Sequence, residues 1–140
     1  LRNVSFVPAQ AKEMMPAVWS LCDVALVHLK DTPLFETVIP SKIFEAMAMG
    51  KPVLLASPAG EASRIVRWDN TGLHVPAERP EELAAAVLFL KENPDFTREL
   101  SRRSLAAAPR YSRERQARDM QAVLESAIQG IPVFSSNVDS

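Results

Sequence analysis

Two short apolar runs, Val24-Ala25-Leu26-Val27 and Pro52-Val53-Leu54-Leu55, constrain the fold more than any other feature of this sequence. Four apolar residues in a row, with no polar alternate, describe a strand covered on both faces, and such strands belong to parallel sheets. Parallel neighbours cannot be joined by a hairpin. They need a crossover of about a dozen residues, usually helical. The sequence supplies one between the runs: residues 41–49 read as a helix, with Ser41 as a candidate N-cap and Gly50 as a natural C-cap.

The same alternation extends in both directions. Residues 3–7 alternate and read as a short strand ending at Pro8. Residues 11–22 read as a helix with Met15, Val18, Trp19 and Cys22 on one face and Pro16 tolerated in its first turn. Residues 28–40 form a long connection, of a length that is often functional in compact domains. After the second run come a turn at 57–60, a helix over 62–68, a turn at 69–72 and a short strand over 73–75. Helices follow over 80–92, 95–107 and 111–128. The first has Leu83, Val87 and Leu90 as its apolar stripe, and the last has Ala117, Met120, Leu124 and Ala127. Residues 131–140 read as a frayed tail. The order predicts one α/β domain over residues 1–130: a Rossmann-like parallel sheet with helices on both faces.

Composition narrows the function classes. The chain has 140 residues, 47% hydrophobic and 24% charged, with a net charge of −1. That is one globular domain with no basic field to draw nucleic acid or anionic lipid. The single cysteine, Cys22, excludes an internal disulfide and fits a reducing, cytoplasmic setting. No run is long enough to span a bilayer. The first residues lack the layout of a signal peptide, and the chain enters strand-like sequence without a methionine, as expected of a piece of a longer chain. Its glycines, Gly50, Gly60, Gly72 and Gly130, build neither a dinucleotide fingerprint nor a Walker loop. His28 and His74 stand apart with no companion ligands. No metal site is expected, and structural or solvent roles suit both.

In parallel α/β sheets, ligands bind outside the carboxyl ends of the strands. The helix beginning at Ser41 starts there. The free N–H groups of its first turn and the positive end of its dipole suit a phosphate, with Lys42 adding a cation. Glu45, one turn in, suits two hydroxyls of a ribose. The same residues also admit a plainer reading: a glutamate near a helix start often serves only the dipole, for about 0.3–1 kcal/mol, and Lys42 is then a solvated lysine.

The segment Pro40-Ser41-Lys42-Ile43-Phe44-Glu45-Ala46-Met47-Ala48-Met49-Gly50-Lys51-Pro52-Val53 resembles the signature of family 4 retaining glycosyltransferases of the GT-B fold. It is most similar to the subgroup of bacterial polysaccharide and O-antigen (lipopolysaccharide) enzymes in which Pro-Ser-Lys opens the helix. Flanking features resemble the family in the same order: Val4-Ser5-Phe6, Cys22-Asp23-Val24-Ala25-Leu26-Val27, Gly60-Glu61, Thr71-Gly72-Leu73 and Pro80-Glu81-Glu82-Leu83-Ala84. The likeness covers roughly residues 3–128 in one consistent order, which is far more specific than one isolated motif.

The resemblance implies the C-terminal, donor-binding half of the fold, with a uridine diphosphate sugar as donor and a lipid-linked or polysaccharide acceptor. It implies no catalytic metal and no cofactor. It places Glu45 on the donor ribose and the amides of Ser41 and Lys42 on the pyrophosphate. The family's first glutamate falls on Thr37, with Glu36 one residue away, so either Glu36 substitutes or the sugar is held differently. The nucleobase loop falls near Ala9, Gln10 and Lys12, and Gly60 and Glu61 lie near the sugar-diphosphate end or serve as a connecting turn. The basic residues that steady the leaving group, and the acceptor domain, would precede Leu1. A chain lacking both is expected to be inactive alone, and its last helix is expected to leave apolar surface open to self-association. The parent enzyme is expected at the inner membrane face. Two alternatives stand beside it: a nucleotide-sugar 2-epimerase of the same fold, and a noncatalytic response-regulator-like module. The second needs an acceptor aspartate at a strand end, where Val7-Pro8 and Val27-His28 offer none.

Overall fold

The computed structural model describes residues 3–130. Three strands, β1 (Ala25–His28), β2 (Val53–Ala56) and β3 (Gly72–Val75), form a parallel sheet in that order, as the apolar runs require. Seven helices surround them: α1 (Met15–Ser20), α2 (Leu34–Thr37), α3 (Ser41–Ala48), α4 (Glu61–Trp68), α5 (Pro80–Glu92), α6 (Pro94–Ala107) and α7 (Arg113–Ile128). Short 3-10 turns occupy Lys12–Met14 and Ala108–Tyr111.

Strand register sorts the side chains into two layers. Ala25, Val27, Val53 and Leu55 face Ile43, Ala46 and Met47 of α3 and Ala62 and Val66 of α4, all buried. Trp19, Phe44 and Tyr111 close the margin of this layer. The alternate residues, Leu54 and Leu73, face Leu83, Ala86 and Leu90 of α5 and Leu100 of α6. Helices therefore lie on both faces, and the fold is the α/β, Rossmann-like one. α3 ends as its sequence predicts. Gly50 adopts φ +63°, and a Cβ there would press on Leu105 of α6 at 2.9 Å.

Several local expectations are corrected. Residues 3–7 form no strand, and Phe6 is 96% exposed. Alternation makes a strand only where a sheet edge can take its N–H and C=O groups, and this segment pairs with no edge among the described residues. The helix expected over 11–22 is a 3-10 turn followed by α1, because Pro16 is accommodated only near a helix start. The long connection is not structureless: Pro33 leads into the single turn α2. Ser41 is not the N-cap of α3. Extended Pro40 holds that position and Ser41 is the first helical residue. The final helix begins at Arg113, where the Ser112 hydroxyl accepts the Arg115 N–H (3.1 Å), and Met120 and Leu124 of its apolar stripe are exposed. The tail expected over 131–140 lies outside the described residues.

Candidate functional site

The carboxyl edge of the sheet is built by the ends of β1, β2 and β3 and the segments that follow them. There the start of α3 stands beside the end of β1, across a notch of about 330 Å³ lined by Leu26, His28, Pro40, Ser41 and Lys42 among others. The N–H groups of Ser41 and Lys42 have no backbone acceptor among the described residues, whereas that of Ile43 already donates to Pro40 O (3.1 Å). Two free amides, the helix dipole and the Lys42 ammonium thus meet at one mouth, an arrangement suited to an anion. Lys42 makes no ion pair among the described residues.

Glu45 does not line the notch. It stands on the outward side of α3 with Ser41, Lys42 and Ala48, all exposed. Its Oε1 accepts the Ser41 hydroxyl at 3.2 Å. Helical side chains lean toward the N-terminus, so this contact carries the carboxylate up toward the carboxyl edge rather than down the helix.

The remaining candidates divide into two groups. Glu36 and Gly60 are brought together: a Cβ on Gly60 would overlap the Glu36 carbonyl oxygen at 2.0 Å, so only glycine lets α2 rest on the start of α4. Gly60 N–H donates to Ser63 Oγ (2.9 Å), and Ser63 Oγ donates back to Gly60 O, which secures that helix start. Glu61 pairs with Arg64 at 2.6 Å, and the Thr37 hydroxyl donates to Leu34 O within α2, so both are engaged locally. Ala9, Gln10 and Lys12 form the second group. They are exposed on the segment before α1 and do not line the notch, and Gln10 Nε2 donates to Pro8 O at 2.9 Å.

The histidines behave differently. A ring nitrogen of His74 lies 3.0 Å from Ser57 O, a contact that ties β3 to the end of β2. His28 is exposed and borders both the notch and a second hollow of about 240 Å³, which Lys30, Glu78 and Arg79 also line. Neither Lys30 nor Arg79 carries a local motif, so sequence reasoning passed them by. A larger hollow, about 680 Å³, opens at the opposite, amino edge, between Lys51, Lys91 and Arg98. Strand direction decides between the two: ligands of parallel sheets sit at the carboxyl edge.

A cluster around the buried carboxylate of Asp69 was also missed. The Asp69 side chain, 2% exposed at the end of α4, accepts from Arg110 Nη2 (2.5 Å) and from the Tyr111 hydroxyl (2.6 Å). Burial first, then the hydrogen bond and charge of Asp69, push the Tyr111 phenol up to about 12. The ring stacks on Phe44 of α3 with centroids 4.9 Å apart. The cluster therefore braces the helix that carries Ser41, Lys42 and Glu45.

Comparison with known proteins identifies the family. Residues 1–93 match the family described as glycosyl transferases group 1. A probable glycosyltransferase WbjE from Pseudomonas aeruginosa is 37% identical over 90 residues, which cover 64% of this chain and 20% of that protein. A D-inositol 3-phosphate glycosyltransferase from Rhodococcus erythropolis is 33% identical over 110 residues, covering 79% of this chain and 23% of its own length. The chain thus spans about a fifth of the length of these curated relatives. Its parallel sheet, helix-covered on both faces, is the Rossmann-like architecture of the C-terminal half of a GT-B enzyme. With that architecture and a family match that takes in about two thirds of its length, the chain belongs to the group 1 glycosyl transferases.

Proposed function

We propose that this chain is the donor-binding part of a retaining glycosyltransferase of family 4, in the subgroup whose motif opens Pro-Ser-Lys, and that it binds a uridine diphosphate sugar. The observation that carries the reading is the start of α3: two free amides, the dipole and Lys42 open onto a notch at the carboxyl edge, with Glu45 held one turn behind. In this reading the pyrophosphate takes the amides of Ser41 and Lys42, and Glu45 accepts bonds from the ribose hydroxyls. Fixed amides and a cation aimed at a departing diphosphate stabilise the charge it develops, and that electrostatic preorganisation needs no metal. In this reading Glu36 substitutes for the family's first glutamate, since Thr37 at that position has no carboxylate and its hydroxyl donates to Leu34 O within α2.

In this reading the acceptor is a lipid-linked or polysaccharide chain, and transfer takes place on the cytoplasmic side of the membrane. By itself the chain binds nucleotide weakly at best and performs no transfer. The test is Glu45→Ala in the full-length enzyme, measured by titration with uridine diphosphate beside a thermal melt. Bonds to a charged group contribute about 1.5–3 kcal/mol each, so affinity should fall at least roughly tenfold. A role limited to the helix dipole would instead lower stability by under about 1 kcal/mol and leave affinity unchanged, and that outcome removes Glu45 from the site.

A further inference from the structure

We infer that Ser41 is a positioning residue for Glu45. A serine at a helix start is ordinarily a cap, but here Pro40 is the N-cap and no side-chain bond caps α3. The Ser41 hydroxyl turns along the helix instead and donates to Glu45 Oε1 at 3.2 Å. Glu45 has no Lys or Arg partner among the described residues, so this hydroxyl is the group that orients its carboxylate. One oxygen is held and the other stays available. An exposed glutamate otherwise samples several rotamers, and each must be given up when a ligand binds. Holding the carboxylate beforehand lowers that cost.

This assignment rests on the donor-binding reading and gives Ser41 a different task within it. The backbone N–H of Ser41 serves the phosphate, while its hydroxyl serves the carboxylate that meets the ribose.

The two ends of the ligand separate the possibilities. Titration of the full chain, followed by NMR so that weak binding is measurable, uses uridine diphosphate and uridine as probes. Ser41→Ala should weaken both by about three- to tenfold, less than the loss of a bond made directly to the ligand, because the hydroxyl only holds the carboxylate in place beforehand. Ser41→Thr keeps the hydroxyl and should restore most of the affinity. In a Glu45→Ala background, Ser41→Ala should add nothing, because the residue acts through the one already removed. Weakening of uridine diphosphate alone, or an undiminished effect in the Glu45→Ala background, would show that the hydroxyl serves the phosphate and would overturn the assignment. Loss of affinity with Glu45→Ala and none with Ser41→Ala overturns it too, while sparing the donor-binding reading. No loss with Glu45→Ala defeats both. Retention of the α3 chemical shifts in each variant keeps these outcomes distinct from local unfolding.

Discussion

The two faces of β1 are made by four consecutive residues and live in different surroundings. Ala25 and Val27 are sealed under α3, while Leu26, between them, is 50% exposed. One strand over, Leu54 occupies the same register as Leu26 and is 1% exposed under α5 and α6. All four residues of β2 obey the rule that an uninterrupted apolar run is covered on both faces, and β1 obeys it on one face only. An apolar run in the sequence thus records what a strand is suited to, and the neighbours present decide which of its faces is filled.

That comparison is sharpest in stability. Leu55→Ala removes a fully buried side chain from the layer under α3 and α4 and should cost about 2–5 kcal/mol. Leu26→Ala, at the half-bare position, should cost under about 1 kcal/mol. Urea unfolding with an unchanged m-value measures both. Equal losses would mean that the second face of β1 is as well packed as the first.

A smaller effect separates the α3 side of the molecule by pH. The fold raises the Tyr111 phenol to about 12 from its ordinary 10, so the folded chain favours the protonated ring. The stability this supplies is complete below pH 10 and is lost as the pH climbs from 10 through 12. Tyr111→Phe keeps the stack on Phe44 and removes the titration, at a cost of about 1 kcal/mol near neutral pH. The stability gap between the parent chain and this variant should therefore close across that window. A gap that stays constant across the window would mean that folding does not raise the phenol, and no gap at any pH would place the Tyr111 contribution in its ring, which the variant keeps.

How much of this was legible follows from what each feature depends on. β1, β2, α3 and α5 rest on local pattern, and their bounds came within a residue or so. Residues 3–7 show an equally clear alternation, yet a strand needs a partner, and pairing is not written in one segment. α2 is a single turn, too short for any helical period to register. The capping of α3 was misread because Ser41 is the better capping side chain, while Pro40 has the extended backbone the position requires. The Asp69 to Tyr111 contact joins positions 42 residues apart, and nothing local announces it. At the site, the helix start and Lys42 were legible as an anion-binding mouth. The bond from Ser41 to Glu45 was not, because a serine four residues before a glutamate is compatible with capping, solvent or this contact alike.

The smallest stability effect belongs to the bare face of β1, and it tests the comparison most directly. Leu26→Lys exchanges an exposed apolar side chain on an edge strand for one whose stem can still lie along the sheet while its ammonium reaches water. The folded chain should lose or gain no more than about 0.5 kcal/mol, as for surface changes away from special features. Association should change more. An open edge strand offers unsatisfied N–H and C=O groups to another chain, an apolar side chain beside it favours that encounter, and lysine on an edge opposes it. The parent chain should self-associate as concentration rises, and Leu26→Lys should shift that onset upward. Met120 and Leu124 on α7 provide the control, since they are also exposed but lie on a helix with no open edge. Sedimentation of the parent chain, Leu26→Lys and Met120→Lys separates the two surfaces. Equal relief by both lysines would assign association to exposed apolar area in general, and relief by Met120→Lys alone would assign it to α7. A parent chain that stays monomeric at high concentration would mean that the bare face of β1 is tolerated in water as it stands.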